Sequence, residues 1–93
     1  MTIVLCSKGY PNKYKKNKVI KNLKKLMLNK NSIIFHAGTS LKNKKIIATG
    51  GRVLNITSMG NSFIKIRKNI FKIIKKINWK HGFYRKDIGW RVI

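Results

Sequence analysis

The stretch GGRVLNITSMG at residues 50–60 decides the fold of this chain. Its two leading glycines permit a tight turn with positive φ. The residues that follow alternate between two directions, with Val53, Asn55 and Thr57 on one side and the intervening residues on the other. This pattern predicts a strand over residues 52–58 that is entered through a sharp turn and lies at the centre of a small α+β domain.

Other strands are predicted on both sides of this stretch, near residues 2–6, 32–37 and 45–49. The segment 32–37 is continuously apolar in its middle, so it should be central or covered on both faces. A hairpin-like connection then leads to 45–49 and to the glycine turn, which predicts a three-stranded meander as the minimal sheet. The segment 12–30 fits either an amphipathic helix or an irregular loop with two apolar anchors.

The hydrophobic period changes from 2 to 3.6 near residues 61–77, which predicts one long amphipathic helix. Asn61 or Ser62 is the expected N-cap. Arg67 interrupts the apolar arc, so either its stem runs along the core edge or it reaches Asp87. The predicted apolar arc consists of Phe63, Ile66, Ile70, Phe71, Ile73, Ile74 and Ile77.

The C-terminal segment 82–93 is rich in aromatic residues and should be packed. The expected fold is therefore one α+β domain over residues 1–93, in which a small antiparallel sheet of three to five strands is covered by a single helix.

Charge is the dominant feature of the composition, because 23 lysines and arginines face one acidic residue, for a net charge of +22. Such self-repulsion predicts a polyanionic partner. An AT-rich genome would raise Lys, Asn and Ile together, but it would not remove Asp and Glu. The lysines thus indicate selection for an anion-binding surface, as opposed to a merely solvated charged face.

Several classes of site are excluded by the composition. Cys6 is the single cysteine, and the two histidines are far apart in sequence, so neither a disulfide nor a metal site is expected. No catalytic residue and no cofactor are predicted. No apolar run approaches the roughly 18 residues of a membrane span, so no membrane partner is expected. An apolar strand begins directly after Met1, which leaves no room for a presequence and predicts function in the compartment of synthesis.

Lysine side chains neutralise phosphate without reading bases, so the expected contacts are to the backbone and shape of RNA. The predicted RNA contacts are Lys13, Lys15, Lys16, Lys18, Lys21, Lys24, Lys25, Lys42, Lys44, Lys45, Arg52, Lys65, Lys68, Lys72 and Lys76.

Three segments carry a resemblance to a known family. They are GYP at 9–11 with Tyr14 and Lys16, FHAGT at 35–39 followed by GGRVLNIT at 50–57, and GFYRKDIGWRV at 82–92. Together they resemble the C-terminal domain of glycinamide ribonucleotide synthetase, an ATP-grasp ligase of purine synthesis.

The resemblance implies an α+β domain of the rudiment single hybrid type that packs beside the ATP-grasp core and helps to close the substrate site. It implies substrate-side roles for His36, Thr39, Arg52 and Arg85. The nucleotide site, the metal-binding acids and the catalytic lobe of that family belong to other domains, so the chain is not expected to be an enzyme by itself.

Where the family carries acidic residues or alanine on its surface, this chain carries lysines such as Lys65 and Lys72. We therefore expect a detached domain that is reused in translation as a structural ribosomal protein. Its partners would be ribosomal RNA and neighbouring ribosomal proteins in a mitochondrial ribosome, with no small-molecule substrate. The alternatives are the C-terminal subunit of a split synthetase and a basic DNA-binding architectural protein. The expected location is the mitochondrion, or otherwise the bacterial cytoplasm.

Overall fold

A computed structural model of the chain describes residues 1–23 and 26–92. Over these residues, strands dominate the first two thirds and a single α-helix follows them. The elements are β1 (Thr2–Ser7), β2 (Lys18–Val19), β3 (Ser32–His36), β4 (Thr39–Lys42), β5 (Lys45–Ala48), β6 (Arg52–Ser58), α1 (Phe63–Lys76), β7 (Gly82–Phe83) and a 3₁₀ helix (Trp90–Val92).

The strands form two antiparallel sheets, a larger one in the order β3-β6-β1-β7 and a smaller one in the order β2-β5-β4. Strand β6 occupies the segment for which the alternation predicts a strand, and it lies between β1 and β3. Two sheets and one helix make an α+β fold, so the predicted fold class is confirmed.

The predicted three-stranded meander is wrong in its pairing, because β3 pairs with β6 whereas β5 pairs with β4 and β2. The chain leaves the larger sheet at Gly38, where an added Cβ would lie 2.5 Å from the carbonyl oxygen of Arg52. A side chain at this position would force the backbones apart, so the close crossing requires glycine. The chain then forms β4 in the smaller sheet, in a segment for which no strand is predicted.

Strand β6 contains a bulge that the simple alternation does not predict. Leu5 pairs with Leu54, but the next residue of β1, Cys6, pairs with Arg52. Val53 is therefore the extra residue, and Val53 and Leu54 are both fully buried although they are neighbours. The bulge lets β6 contribute two consecutive side chains to the core.

The core lies between the larger sheet and α1. Helix residues Ile66, Ile70, Ile73 and Ile74 are buried in one cluster with side chains of β1 and β6. The hydroxyl oxygen of Ser62 caps the helix by accepting from the amide of Lys65 at 3.5 Å. Phe63, which is predicted on the apolar arc, is 51% exposed at the first turn.

The segment after β7 is attached to α1 through Arg67. Its Nε donates to the carbonyl oxygen of Ile88 at 3.1 Å, its Nη2 donates to the carbonyl oxygen of Lys86, and the guanidinium stacks on the ring of Phe71. Arg67 thus binds backbone carbonyls and not the Asp87 carboxylate. Within the described residues, no helix is long and apolar enough to cross a membrane.

Candidate functional site

Residues His36, Thr39 and Arg52 lie where the two sheets meet. His36 ends β3 and Thr39 begins β4, and a hydrogen bond of 2.9 Å joins the imidazole Nδ1 to the Thr39 hydroxyl. The three side chains carry hydrogen-bonding or charged groups, and those of His36 and Arg52 are exposed. The backbones of these three residues therefore meet at one junction between the two sheets, where His36 and Thr39 are hydrogen-bonded to each other.

The junction is held by backbone hydrogen bonds between the turn at 37–38 and the turn at 49–53. The amide of Gly38 donates to the carbonyl oxygen of Val53 at 3.1 Å, and the carbonyl oxygen of Gly38 accepts from Thr49 at 2.8 Å. These bonds fix the course of the chain after His36, at the end of β3, relative to the backbone of Arg52. A site on such a clamped turn loses little conformational entropy when an anion binds.

Arg52 also lies beside Cys6, its pairing partner on β1. Partial burial raises the pKa of the Cys6 thiol, and the positive charge of Arg52 acts in the opposite direction. The Arg52 guanidinium is therefore near the face of the sheet that carries Thr2, Val4 and Cys6, which alternate with the core residues of β1.

Arg85 forms a separate arrangement in the segment after β7. Its Nη2 lies 2.7 Å from Oδ2 of Asp87 and its Nε donates to Oδ1 at 3.2 Å, which makes a two-pronged ion pair. The hydrogen bond from Arg85 lowers the pKa of Asp87. Arg85 and Cys6 line a mostly apolar cavity of about 350 Å³. The structure does not bring Arg85 into hydrogen bonding with His36 or Thr39 among the described residues.

The predicted lysine contacts do not converge as a whole set. Those of the described residues lie in three places: the loop and strand at 13–21, the β4–β5 hairpin with Lys42, Lys44 and Lys45, and the outer face of α1. Nearly all are exposed, with Lys18 half-buried. Lys24 and Lys25 lie outside the described residues. The predicted set is therefore a distributed surface charge and not one site.

A concave cluster of cations brings Lys13 and Lys15, which are predicted contacts, together with Lys8 and His81, which sequence reasoning missed. Lys8, Lys13, Lys15 and His81 line a cleft of about 480 Å³ together with Tyr14. Lys8 and His81 are distant in sequence and meet because β7 pairs with β1. No local signal in the sequence indicates that pairing. Within the part of the chain that the structure describes, no three His, Cys, Asp or Glu side chains lie together as a metal site would need.

The fold has a close counterpart among solved structures. The crystal structure of a phosphoribosylamine–glycine ligase from Thermotoga maritima superposes with a TM-score of 0.73 and 30% identity, over 92% of this chain and 20% of that one. The molecule is thus an α+β domain of the kind found in a biosynthetic ligase. Residues 1–91 match the family described as Phosphoribosylglycinamide synthetase, C domain, and the chain belongs to that family. The predicted family resemblance is confirmed.

Curated relatives carry the same ligase name. The phosphoribosylamine–glycine ligase of Agrobacterium fabrum is 43% identical over 93 residues, which are 100% of this chain and 22% of that protein. The Brucella melitensis ligase is 44% identical with the same coverage. The protein of Arabidopsis thaliana named as the chloroplastic ligase is 41% identical over 95 residues, covering 100% of this chain and 18% of that protein. The chain spans about a fifth of the length of these relatives.

These relatives overturn the function predicted from the charge. Because the family and the relatives are those of a ligase, the prediction of a structural ribosomal protein in translation is wrong, as are its RNA and ribosomal-protein partners. The prediction that the chain has no enzymatic role and no small-molecule substrate is also wrong, since it belongs to a domain family of an enzyme. The predicted alternative, a C-terminal part of the synthetase, is better supported than the ribosomal reading.

The predicted location is supported only in part. The ligases of Agrobacterium fabrum and Brucella melitensis are bacterial, in agreement with the bacterial alternative. The plant relative is named as chloroplastic, and the mitochondrial prediction has no support. The physical cause of the functional error is that most of the lysines in the described residues lie on exposed positions, where charge constrains the surface field more than the fold.

Proposed function

We propose that this chain is the C-terminal domain of a phosphoribosylamine–glycine ligase and works with the remainder of that enzyme in joining glycine to phosphoribosylamine. The observation that carries the proposal is the family match over residues 1–91, with His36, Thr39 and Arg52 held at one junction. The bacterial cytoplasm is the compartment that goes with this proposal, since the Agrobacterium and Brucella relatives are bacterial.

The junction suits a phosphorylated sugar amine. Arginine binds a phosphate group through two parallel hydrogen bonds, and Arg52 is exposed at the start of β6. The His36 imidazole is hydrogen-bonded to the Thr39 hydroxyl at 2.9 Å, which orients both groups. In the proposed enzyme, Arg52 holds the phosphate while His36 and Thr39 position the rest of the substrate. Such positioning accelerates a reaction by pre-orienting its partners.

The nucleotide and any metal ion would be held by the other parts of the ligase. The chain contains one acidic residue, Asp87, and that carboxylate is bound to Arg85. A divalent magnesium ion needs several oxygen ligands, usually including carboxylates. The donor set of this chain therefore does not fit such an ion, and the proposed role of the domain is limited to binding, orienting and shielding the substrate.

Complementation tests the proposal. A phosphoribosylamine–glycine ligase that lacks its own C-terminal domain is mixed with this chain, and glycinamide ribonucleotide formation is measured. The expected result is restored activity. Arg52→Gln should reduce that restored activity by about tenfold or more, as loss of a charged phosphate contact implies. Arg91→Gln is the matched control, since Arg91 stacks on Trp90 and lies outside the junction.

Two results would contradict the proposal. One is that the truncated ligase regains activity with its own C-terminal domain but not with this chain. The other is that Arg52→Gln and Arg91→Gln reduce the restored activity equally, which would remove the junction from the proposed role. Thermal unfolding of each variant shows whether it is folded.

A further inference from the structure

The loop after β1 is fixed against the turn before β7. The amide of Lys8 donates to the carbonyl oxygen of His81 at 2.8 Å, and the amide of Tyr10 donates to the carbonyl oxygen of Ser7 at 3.0 Å. At the other end of the loop, the amide of Asn17 donates to the carbonyl oxygen of Ala48 at 2.7 Å. The loop is thus tied to both sheets, and the space between it and His81 is a defined cleft.

Cationic side chains surround this cleft. Lys8, Lys13 and Lys15 line it with Tyr14 and His81, and its volume of about 480 Å³ is in the range of small-molecule sites. Lys18 and Lys80 lie close enough to act on His81 electrostatically. We call the cavity that Lys8, Lys13 and Lys15 line beside His81 the lysine cleft.

The one acidic side chain of the sequence, Asp87, does not compensate the lysine cleft, because it is bound to Arg85 at 2.7 Å. Like charges gathered around a concavity repel one another and raise the local potential. An anion that enters the cleft would relieve this repulsion among the three lysines that line it.

We propose that the lysine cleft binds a compact polyphosphate anion, either free inorganic polyphosphate or the phosphate tail of a nucleotide. The convergence of several point charges on a small volume favours a compact ligand with many negative charges. An extended polymer would need a continuous track of charge, whereas three further lysines lie on the β4–β5 hairpin and five on α1. The proposal concerns a site separate from the His36–Arg52 junction and does not depend on the ligase role.

His81 should report occupation of the cleft. Partial burial lowers the pKa of His81, and the positive charges of Lys18, Lys80, Lys15 and Lys8 lower it further. A bound anion offsets those charges and raises the pKa. By linkage, affinity for the anion increases as the pH falls through the titration range of the imidazole.

The test uses the 93-residue chain with tripolyphosphate, ATP and orthophosphate as probes. Calorimetry measures affinity at constant ionic strength, and NMR follows the His81 imidazole through a pH titration. Tripolyphosphate should bind saturably at one site, raise the pKa of His81 and bind about tenfold or more tightly than orthophosphate, because it carries more charge. Tighter binding of ATP than of tripolyphosphate identifies a nucleotide as the ligand, and the reverse identifies inorganic polyphosphate.

Paired variants separate the cleft from the overall charge. The triple variant Lys8→Gln, Lys13→Gln, Lys15→Gln should lower tripolyphosphate affinity by about tenfold or more, since it removes three nearby charges. The control Lys65→Gln, Lys68→Gln, Lys72→Gln removes the same charge from α1 and should change the affinity less than about twofold, because of screening. Equal effects of the two triples would overturn the proposal, as would non-saturable binding or an unchanged His81 pKa. Tighter binding of a single-stranded RNA than of either polyphosphate would overturn it too. The His81 titration of the unmodified chain decides the question if a variant does not fold.

Discussion

Replacement of Arg67 by methionine should loosen the segment after β7 and destabilise the protein by about 2 kcal/mol. Arg67 makes two hydrogen bonds to backbone carbonyls, one of 3.1 Å to Ile88 and one to Lys86, and its guanidinium lies 4.7 Å from the ring centre of Phe71. A hydrogen bond from a charged group contributes about 1.5–3 kcal/mol, and an exposed cation–π contact about 0.5–1 kcal/mol. We take a total below the sum of these ranges because the bond to Lys86 is exposed and methionine keeps much of the apolar stem.

The assay is thermal and urea unfolding of the variant beside Lys68→Met. Lys68 is the next residue of α1 and is exposed, so its replacement removes the same charge without removing these contacts. A loss of about 2 kcal/mol corresponds to a decrease in Tm on the order of 10 °C for a domain of this size. The control should lie within about 0.5 kcal/mol of the unmodified protein.

Hydrogen exchange locates the effect. The amides of Trp90 and Val92 donate to carbonyl oxygens of Asp87 and Gly89 within the segment, and they should exchange faster in Arg67→Met than in Lys68→Met. If both variants unfold at the same temperature and exchange at the same rate, the guanidinium does not hold the segment and the assignment is refuted.

Two further outcomes follow from local contacts. A Cβ at Gly51 would lie 2.0 Å from Cδ2 of Tyr10, so Gly51→Ala should lower the free energy of unfolding in urea by about 1–3 kcal/mol. The same replacement should cost less in a chain that also carries Tyr10→Ala. An equal cost in both backgrounds would contradict the clash. The hydrogen bond from Arg85 lowers the folded-state pKa of Asp87 below its ordinary value of 3.8. The unfolded chain therefore binds the proton more tightly than the folded chain does. The ionised Asp87 carboxylate thus stabilises the fold above pH 3.8, and this stabilisation is lost as the pH falls through the folded-state pKa. Asp87→Asn should therefore lower the free energy of unfolding at pH 7 and have little effect once the carboxyl is protonated. A difference in unfolding free energy between the two proteins that grows as the pH falls would contradict this assignment.

The sequence predicted those parts of the fold that depend on local periodicity. Alternation around residues 52–58 indicates strand β6, and the 3.6-residue period indicates α1, because each pattern is a direct consequence of burying one face. Pairing is a different matter. The hairpin-like spacing of β3 and β5 suggested that they are neighbours, but the tight backbone crossing at Gly38 sends the chain into a second sheet.

The same distinction applies to the candidate sites. His36 and Thr39 are close in sequence, so their motif predicts a shared site, and the structure joins them by a hydrogen bond. The cleft at Lys8 and His81 depends on the pairing of β1 with β7, between residues at opposite ends of the chain. No periodicity in either segment encodes that contact, which is why sequence reasoning assigned the lysines to a long polyanion and not to a cleft.

Net charge gave the wrong function because it constrains the surface field and not the fold. The fully buried side chains include Ile3, Val53, Leu54, Ile56 and Ile70, and none of them is charged. Exposed positions can change to lysine without altering these contacts, so a ligase domain can also be a strongly basic protein.

What distinguishes functional from incidental charge is the curvature of the surface that carries it. Exposed lysines that lie more than about a Debye length of 8 to 10 Å apart are largely screened from one another, whereas lysines around a concave cleft act on the same ligand. The position of a lysine relative to the His81 cleft, and not the total of +22, should therefore decide whether its removal changes anion binding.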